Sequence, residues 1–186
     1  VELMREWIAA MQPERPFVCD WNLEDLSDHL GELTTARSFD SGRAAFEAVG
    51  CAQCHRFAGQ GSGIGPDLTG IGSRLKPHEI IESLVDPSTK VAPEYATTII
   101  QTSAGTILEG RIERETNSTI TLRSGEALAE PITIEKSEIE ERALSPKSIM
   151  PTGTLNTLTQ AEILDLLAYL IANGEADHPA FAKQEE

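Results

Sequence analysis

The sequence predicts a mainly α fold interrupted by a small antiparallel β sheet or barrel. Apolar residues recur at helical spacing up to about residue 85 and again from Ile163 to Ile171. Between Pro93 and about residue 145 the pattern changes to short β-branched runs separated by turn residues. A glycine-rich stretch at 58–74 interrupts the first helical region.

The N-terminal elements follow from stripes and caps. Leu3, Trp7 and Met11 share one helical face, and Pro13 and Pro16 end that segment. Asn22 caps a second helix with Glu24 and Asp25 in its first turn and Leu23, Leu26, Leu30 and Leu33 apolar. A third helix is predicted from Asp40 or Ser41 to Val49, with Phe46 and Val49 facing inward and Gly50 at its end. Residues 58–74 read as an ordered loop. Pro77 opens a helix carrying Ile80, Ile81, Leu84 and Val85, and Asp86-Pro87 stops it.

Strands are predicted from Tyr95 to Thr102, from Thr106 to Glu115, from Thr119 to Arg123, from Ile132 to Ile134 and around Ile139. Thr159 and Glu162 then form a capping box for a last helix rich in leucine, which Gly174 ends. The expected organisation is an N-terminal helical extension or linker at 1–37, a helical domain split between 38–92 and 146–175, a β-rich insert at 93–145, and a loose tail at 176–186. The insert carries no catalytic pattern and reads as a docking or structural module.

Composition narrows the function classes. The 186 residues carry a formal charge of −15, which argues against nucleic acid or an anionic membrane as partner. No apolar run approaches the ~18 residues of a membrane span. The chain opens on Val rather than Met, so it is expected to be a mature or excised piece. Aromatic residues make up 5%, which leaves room in the core for a group other than side chains. Three cysteines, Cys19, Cys51 and Cys54, do not suit a disulfide framework.

Cys51-Ala52-Gln53-Cys54-His55 has the C-x-x-C-H spacing of c-type haem attachment. Two thiols three positions apart can reach the two vinyl groups on one porphyrin edge, and the next residue presents an imidazole to the iron. The pentapeptide alone also admits a redox dithiol, though the βαβ context is missing, or a zinc site completed by Cys19 and a histidine.

Two further features favour haem. Met150 lies in the irregular loop Ser148-Ile149-Met150-Pro151, where a thioether can serve as the second axial ligand and raise the reduction potential. Met4 and Met11 sit in a helical segment and read as core. Gly65-Pro66 supplies a carbonyl without an N–H, suited to accept from the second ring nitrogen of His55. His29, His78 and His178 could each serve as a distal ligand but read as exposed.

Phe46 before the motif, Gly65-Pro66-Asp67-Leu68 after it, Met150-Pro151, and a last helix with Leu167 and Tyr169 together resemble the class I cytochrome c family. Gly65 to Arg74, Asp86-Pro87-Ser88, Tyr95 and Ser148-Ile149-Met150-Pro151, with strands between, look more specifically like the haem-binding domain of planctomycete and verrucomicrobial type. That domain often ends larger dehydrogenase-like proteins. This resemblance covers roughly 38–173, and the segment around Trp21 resembles the linker that precedes such domains.

The resemblance implies a cytochrome c fold whose first and last helices cross beside one covalently attached haem c. It implies His55 and Met150 as iron ligands and Pro66 as the acceptor for His55. The implied role is a one-electron carrier rather than an enzyme, placed in the periplasm or otherwise outside the cytoplasm. The implied partners are redox proteins, including a dehydrogenase domain fused in a parent protein. A haem sensor or peroxidase-like enzyme with an open or labile distal site is the alternative. The β insert and Cys19, read as a free buried thiol, depart from the class I pattern.

Overall fold

The computed structural model describes residues 15–34, 36–124 and 129–182. The predicted stripe of Leu3, Trp7 and Met11 therefore lies outside the described residues, as does Met4. The helices among the described residues are α1 (Leu23–Ser27), α2 (Phe39–Ala48), α3 (Cys51–Cys54), α4 (Ile71–Arg74), α5 (Pro77–Val85) and α6 (Gln160–Ile171).

Local chemistry sets the helix starts. Asn22 Oδ1 accepts from the Asp25 N–H at 3.0 Å and Asp25 Oδ2 accepts from the Asn22 N–H at 3.2 Å, closing a capping box on α1. Ser38 Oγ accepts from the Ser41 N–H at 3.2 Å, so α2 begins at Phe39, one or two residues before the predicted start. At α6 the Glu162 carboxylate accepts from the Thr159 N–H at 2.8 Å and Thr159 Oγ1 accepts from the Glu162 N–H at 3.4 Å. Thr159→Ala removes this cap and is expected to cost about 1 kcal/mol, read as a lower urea midpoint with unchanged slope.

Helices α2 and α6 form the centre of the helical body. A Cβ on Gly42 would stand 2.3 Å from the Asp165 carbonyl oxygen and 2.8 Å from Tyr169 Cβ. The two helices therefore meet nearly backbone to backbone, an approach that only glycine permits. The buried Asp165 carboxylate accepts from the Ser38 N–H at 3.0 Å, tying α6 to the N-terminal end of α2. Leu26, Phe46, Phe57, Ile81, Leu158 and Leu167 lie in the core built around this crossing.

Two expectations are corrected here. The stretch at 58–74 is not one loop: residues 56–61 form a hairpin, β1 (Arg56–Phe57) with β2 (Gln60–Gly61), and Ile71–Arg74 is helical. Two-residue strands and a single turn of helix are too short to leave a periodicity. The tail is not loose as far as residue 182. His178 caps a 3₁₀ turn at Pro179–Phe181, the Arg37 N–H donates to the Ala180 carbonyl at 3.0 Å, and the Ala36 N–H donates to the Ala182 carbonyl at 3.1 Å.

The β-rich segment forms one antiparallel sheet of β3 (Thr97–Thr102), β4 (Ile107–Glu115), β5 (Thr119–Arg123), β6 (Ile132–Glu135) and β7 (Ile139–Leu144). Tyr95 falls in a 3₁₀ turn, Pro93–Tyr95, rather than in the first strand. The strand order is β6-β5-β4-β3-β7, so the two edge strands are neighbours in sequence. Only Lys136–Glu138 joins them. That connection reaches about 14 Å at full extension, whereas four strand spacings in a flat sheet span about 19 Å. The sheet must therefore curl until its edges approach. Glu115 braces the curl, with Lys136 Nζ 2.7 Å and Arg142 Nη1 3.2 Å from its carboxylate. Ile100, Ile120, Leu122 and Ile134 fill the concave face as a second core.

Among the described residues 36% are helical and 21% lie in strands, so the expectation of a mainly α fold is borne out only in part. Of the four or five short strands expected in the insert, five are present in one antiparallel sheet.

Candidate haem-attachment site

Gly50, at φ 72°, turns the chain out of α2 and into the single turn α3. That turn places Cys51 and Cys54 three residues apart on one side. The His55 N–H donates to the Cys51 carbonyl at 2.9 Å, and the backbone becomes extended at His55, which ends the helix. The two thiols are free and partly buried. Burial pushes the Cys51 thiol up to about 12, and burial also raises Cys54. Redox-active C-x-x-C pairs have the opposite tendency, a lowered thiol pKa.

The glycine-rich loop folds back over this turn. The Gly65 N–H donates to the Cys54 carbonyl at 2.7 Å, and the Leu68 N–H donates to the Arg56 carbonyl at 2.8 Å. These bonds bring the Pro66 carbonyl to 2.8 Å from His55 Nδ1. A carbonyl only accepts, so Nδ1 carries the proton and the Nε2 lone pair is the one left to coordinate. Burial lowers the His55 pKa and the Pro66 carbonyl opposes that shift; the net direction is down, toward the neutral imidazole that ligates metal. Gly65 lies against the ring, where a Cβ would be 2.7 Å from Cε1.

Beneath the turn, Phe57 packs against Phe46 and Tyr169 with ring centroids 5.2 Å and 5.4 Å apart. Sequence reasoning singled out Phe46 and Tyr169 but not Phe57. Its position two residues past His55 carries no signal without the hairpin that turns it inward.

Met150 comes from a different part of the chain, the irregular run between β7 and α6, and is partly buried. Its N–H donates to Ser148 Oγ at 3.1 Å. Thr154, four residues on, has a buried hydroxyl with no protein partner. The structure thus gathers Cys51, Cys54, His55 and Pro66 on one turn and its covering loop, whereas Met150 lies on the separate run between β7 and α6.

The remaining candidates are engaged differently. His29 Nδ1 lies 2.7 Å from the Glu32 carboxylate, His178 Nδ1 accepts from the Ala180 N–H, and His78 is exposed. Cys19 is free but only partly buried, which corrects the expectation of a buried thiol. Among the described residues no three His, Cys, Asp or Glu side chains gather as a metal-binding group, so a zinc site joining Cys19 to Cys51 and Cys54 is not formed.

The donor set fits a porphyrin better than a bare ion. It offers two unpaired thiols on one turn and one imidazole with its coordinating nitrogen selected. No curated protein matches the chain. Residues 39–109 match the family model for cytochrome c. The matched region contains the Cys51–His55 turn and the Gly65-Pro66 loop, and it ends before Met150. That match supports a haem-binding c-type cytochrome, a family whose cofactor is covalently bound haem c.

Proposed function

We propose that this chain is a monohaem c-type cytochrome that carries one electron between redox proteins, with haem c bound through Cys51 and Cys54 and iron held by His55 and Met150. The observation that carries the reading is the 2.8 Å contact of His55 Nδ1 with the Pro66 carbonyl inside a C-x-x-C-H turn. The porphyrin iron supplies the one-electron redox chemistry when bound. Cys51 and Cys54 anchor its edge. The Pro66 carbonyl fixes the tautomer and plane of His55 and raises its basicity. Met150 offers a thioether, which favours the reduced state relative to a second imidazole.

With His55 and Met150 both holding the iron, no position on it would remain for substrate, and the chain would serve as a carrier rather than an enzyme. The charge of −15 suits docking to a basic redox partner. Attachment chemistry of this kind places the protein outside the cytoplasm, in the periplasm for a bacterial cell. Among the described residues no helix is long and apolar enough to cross a membrane. The β-rich segment between the attachment turn and Met150 supports the planctomycete and verrucomicrobial type of haem-binding domain.

The test is the visible spectrum of oxidised and reduced protein, followed by carbon monoxide on the reduced form. Sharp low-spin bands indifferent to carbon monoxide are expected. A spectrum that shifts readily would instead indicate an open distal site and a sensor or peroxidase-like role. Gly65→Ala gives a second check. Its Cβ drives His55 off the Pro66 carbonyl, and loss of such an orienting contact is expected to weaken axial ligation about tenfold or more. The readout is a high-spin fraction in the reduced spectrum.

A further inference from the structure

The run that carries Met150 is held by hydrogen bonds from outside it. Thr97, the first residue of β3, brackets this run: its carbonyl accepts from the Ser145 N–H at 2.8 Å and its hydroxyl donates to the Lys147 carbonyl at 2.9 Å. Ser88, just beyond α5, accepts from the Ser148 N–H at 3.1 Å, and Ser148 Oγ in turn accepts from the Met150 N–H at 3.1 Å. An unbroken chain of contacts thus leads from Ser88 through Ser148 to Met150, with Thr97 fixing the residues before it.

Thr97, Glu109, Gly110, Lys147, Ser148 and Ile149 line an open cleft of about 240 Å³ between the run and the sheet, and the Ser145 hydroxyl donates to the Glu109 carboxylate at 2.5 Å. Thr97 itself is 3% exposed, so its hydroxyl has no ready exchange with bulk water. Pro146 and Pro151 flank the ligand residue, and neither can donate a backbone hydrogen bond that would order the segment internally.

We infer that the β-rich segment positions the distal ligand: Thr97 and Ser88 hold residues 145–150 so that Met150 stays on the iron. This rests on the His55/Met150 reading given above. Thr97 and Ser88 are positioning residues, acting through Lys147 and Ser148, and the sheet is the rigid body that makes Thr97 a fixed point. Their contribution is to the population of the iron-bound thioether, and through it to the potential.

The experiment uses the full holoprotein. Ser88→Ala, Thr97→Val and the double variant are compared for the thioether-to-ferric-iron absorption band and for carbon monoxide binding to the reduced form. Each single substitution is expected to raise the fraction with an open distal position about fivefold, and the pair about 25-fold, the factors that one and two net hydrogen bonds contribute. Thr97→Ser keeps the hydroxyl and is expected to restore the parent behaviour. Thr121→Val breaks the 3.0 Å contact with Thr133 elsewhere in the sheet and is expected to leave both readouts unchanged. An unaltered band in the double variant, in a protein whose band Met150→Ala abolishes, would overturn the inference while the His/Met reading stands. A parent protein without the band, unaffected by Met150→Ala, would overturn both.

Discussion

Met150→Ala is expected to lower the reduction potential by on the order of 100 mV or more, within the ~0.8 V span that axial ligation commands, and to open the reduced iron to carbon monoxide. A thioether stabilises the ferrous state relative to an imidazole or water. Removing it leaves a water or nothing in that position, so the ferric state gains and an exogenous ligand finds a vacancy. The substitution leaves the tethers at Ser148 and Lys147 in place, since these use backbone groups and the Ser148 hydroxyl. The effect should therefore fall on the iron and not on the fold. A spectroelectrochemical titration with carbon monoxide binding on the same sample checks it. An unchanged potential and continued indifference to carbon monoxide would move the distal assignment to another residue.

Gly42→Val is the substitution with the largest expected effect on stability. The new Cβ would meet the Asp165 carbonyl at 2.3 Å, and that atom belongs to the backbone of α6 and cannot rotate away. The helices would have to separate, opening the core that Phe46, Leu164 and Leu167 share. Overpacking against side chains costs about 1–3 kcal/mol, and a rigid backbone neighbour places this site at about 3 kcal/mol or more. Against a net stability of about 5–15 kcal/mol the loss is large, and the melting temperature should fall by roughly 6–12 °C for a chain of this size. Thermal unfolding followed by circular dichroism measures it. The Asp165 carboxylate would also draw away from the Ser38 N–H, so fraying of α2 should accompany the loss.

What the sequence made legible follows the range of the interactions concerned. The cap at Thr159, the proline at the start of α5 and the Cys51–His55 turn act within four residues, and their spacing reads directly. The Pro66 carbonyl lies 11 residues from His55, and its role is legible from the glycines around Pro66 and from the resemblance to class I cytochromes c. Strand content was readable from alternation, but the curl was not. It depends on β7 pairing with β3, which no local pattern records. The Thr97 and Ser88 tethers join residues 50 and 60 positions apart, and neither side chain is distinctive in sequence. The docked tail escaped notice for a similar reason: its anchors are backbone groups at Ala36 and Arg37. Met150 could be proposed by its residue type and its irregular surroundings, whereas the bonds that hold it belong to the tertiary structure.

The proposed function depends first on covalent attachment of haem to Cys51 and Cys54. The most direct measurement is the alkaline pyridine spectrum of the protein matured outside the cytoplasm, taken after extraction with acidified acetone. One haem per chain is expected to stay with the protein, with the spectrum of a porphyrin whose vinyl groups are both saturated, and Cys51→Ala with Cys54→Ala is expected to release it. Haem that leaves with the solvent, or a protein carrying both thiols free and no iron, would contradict it.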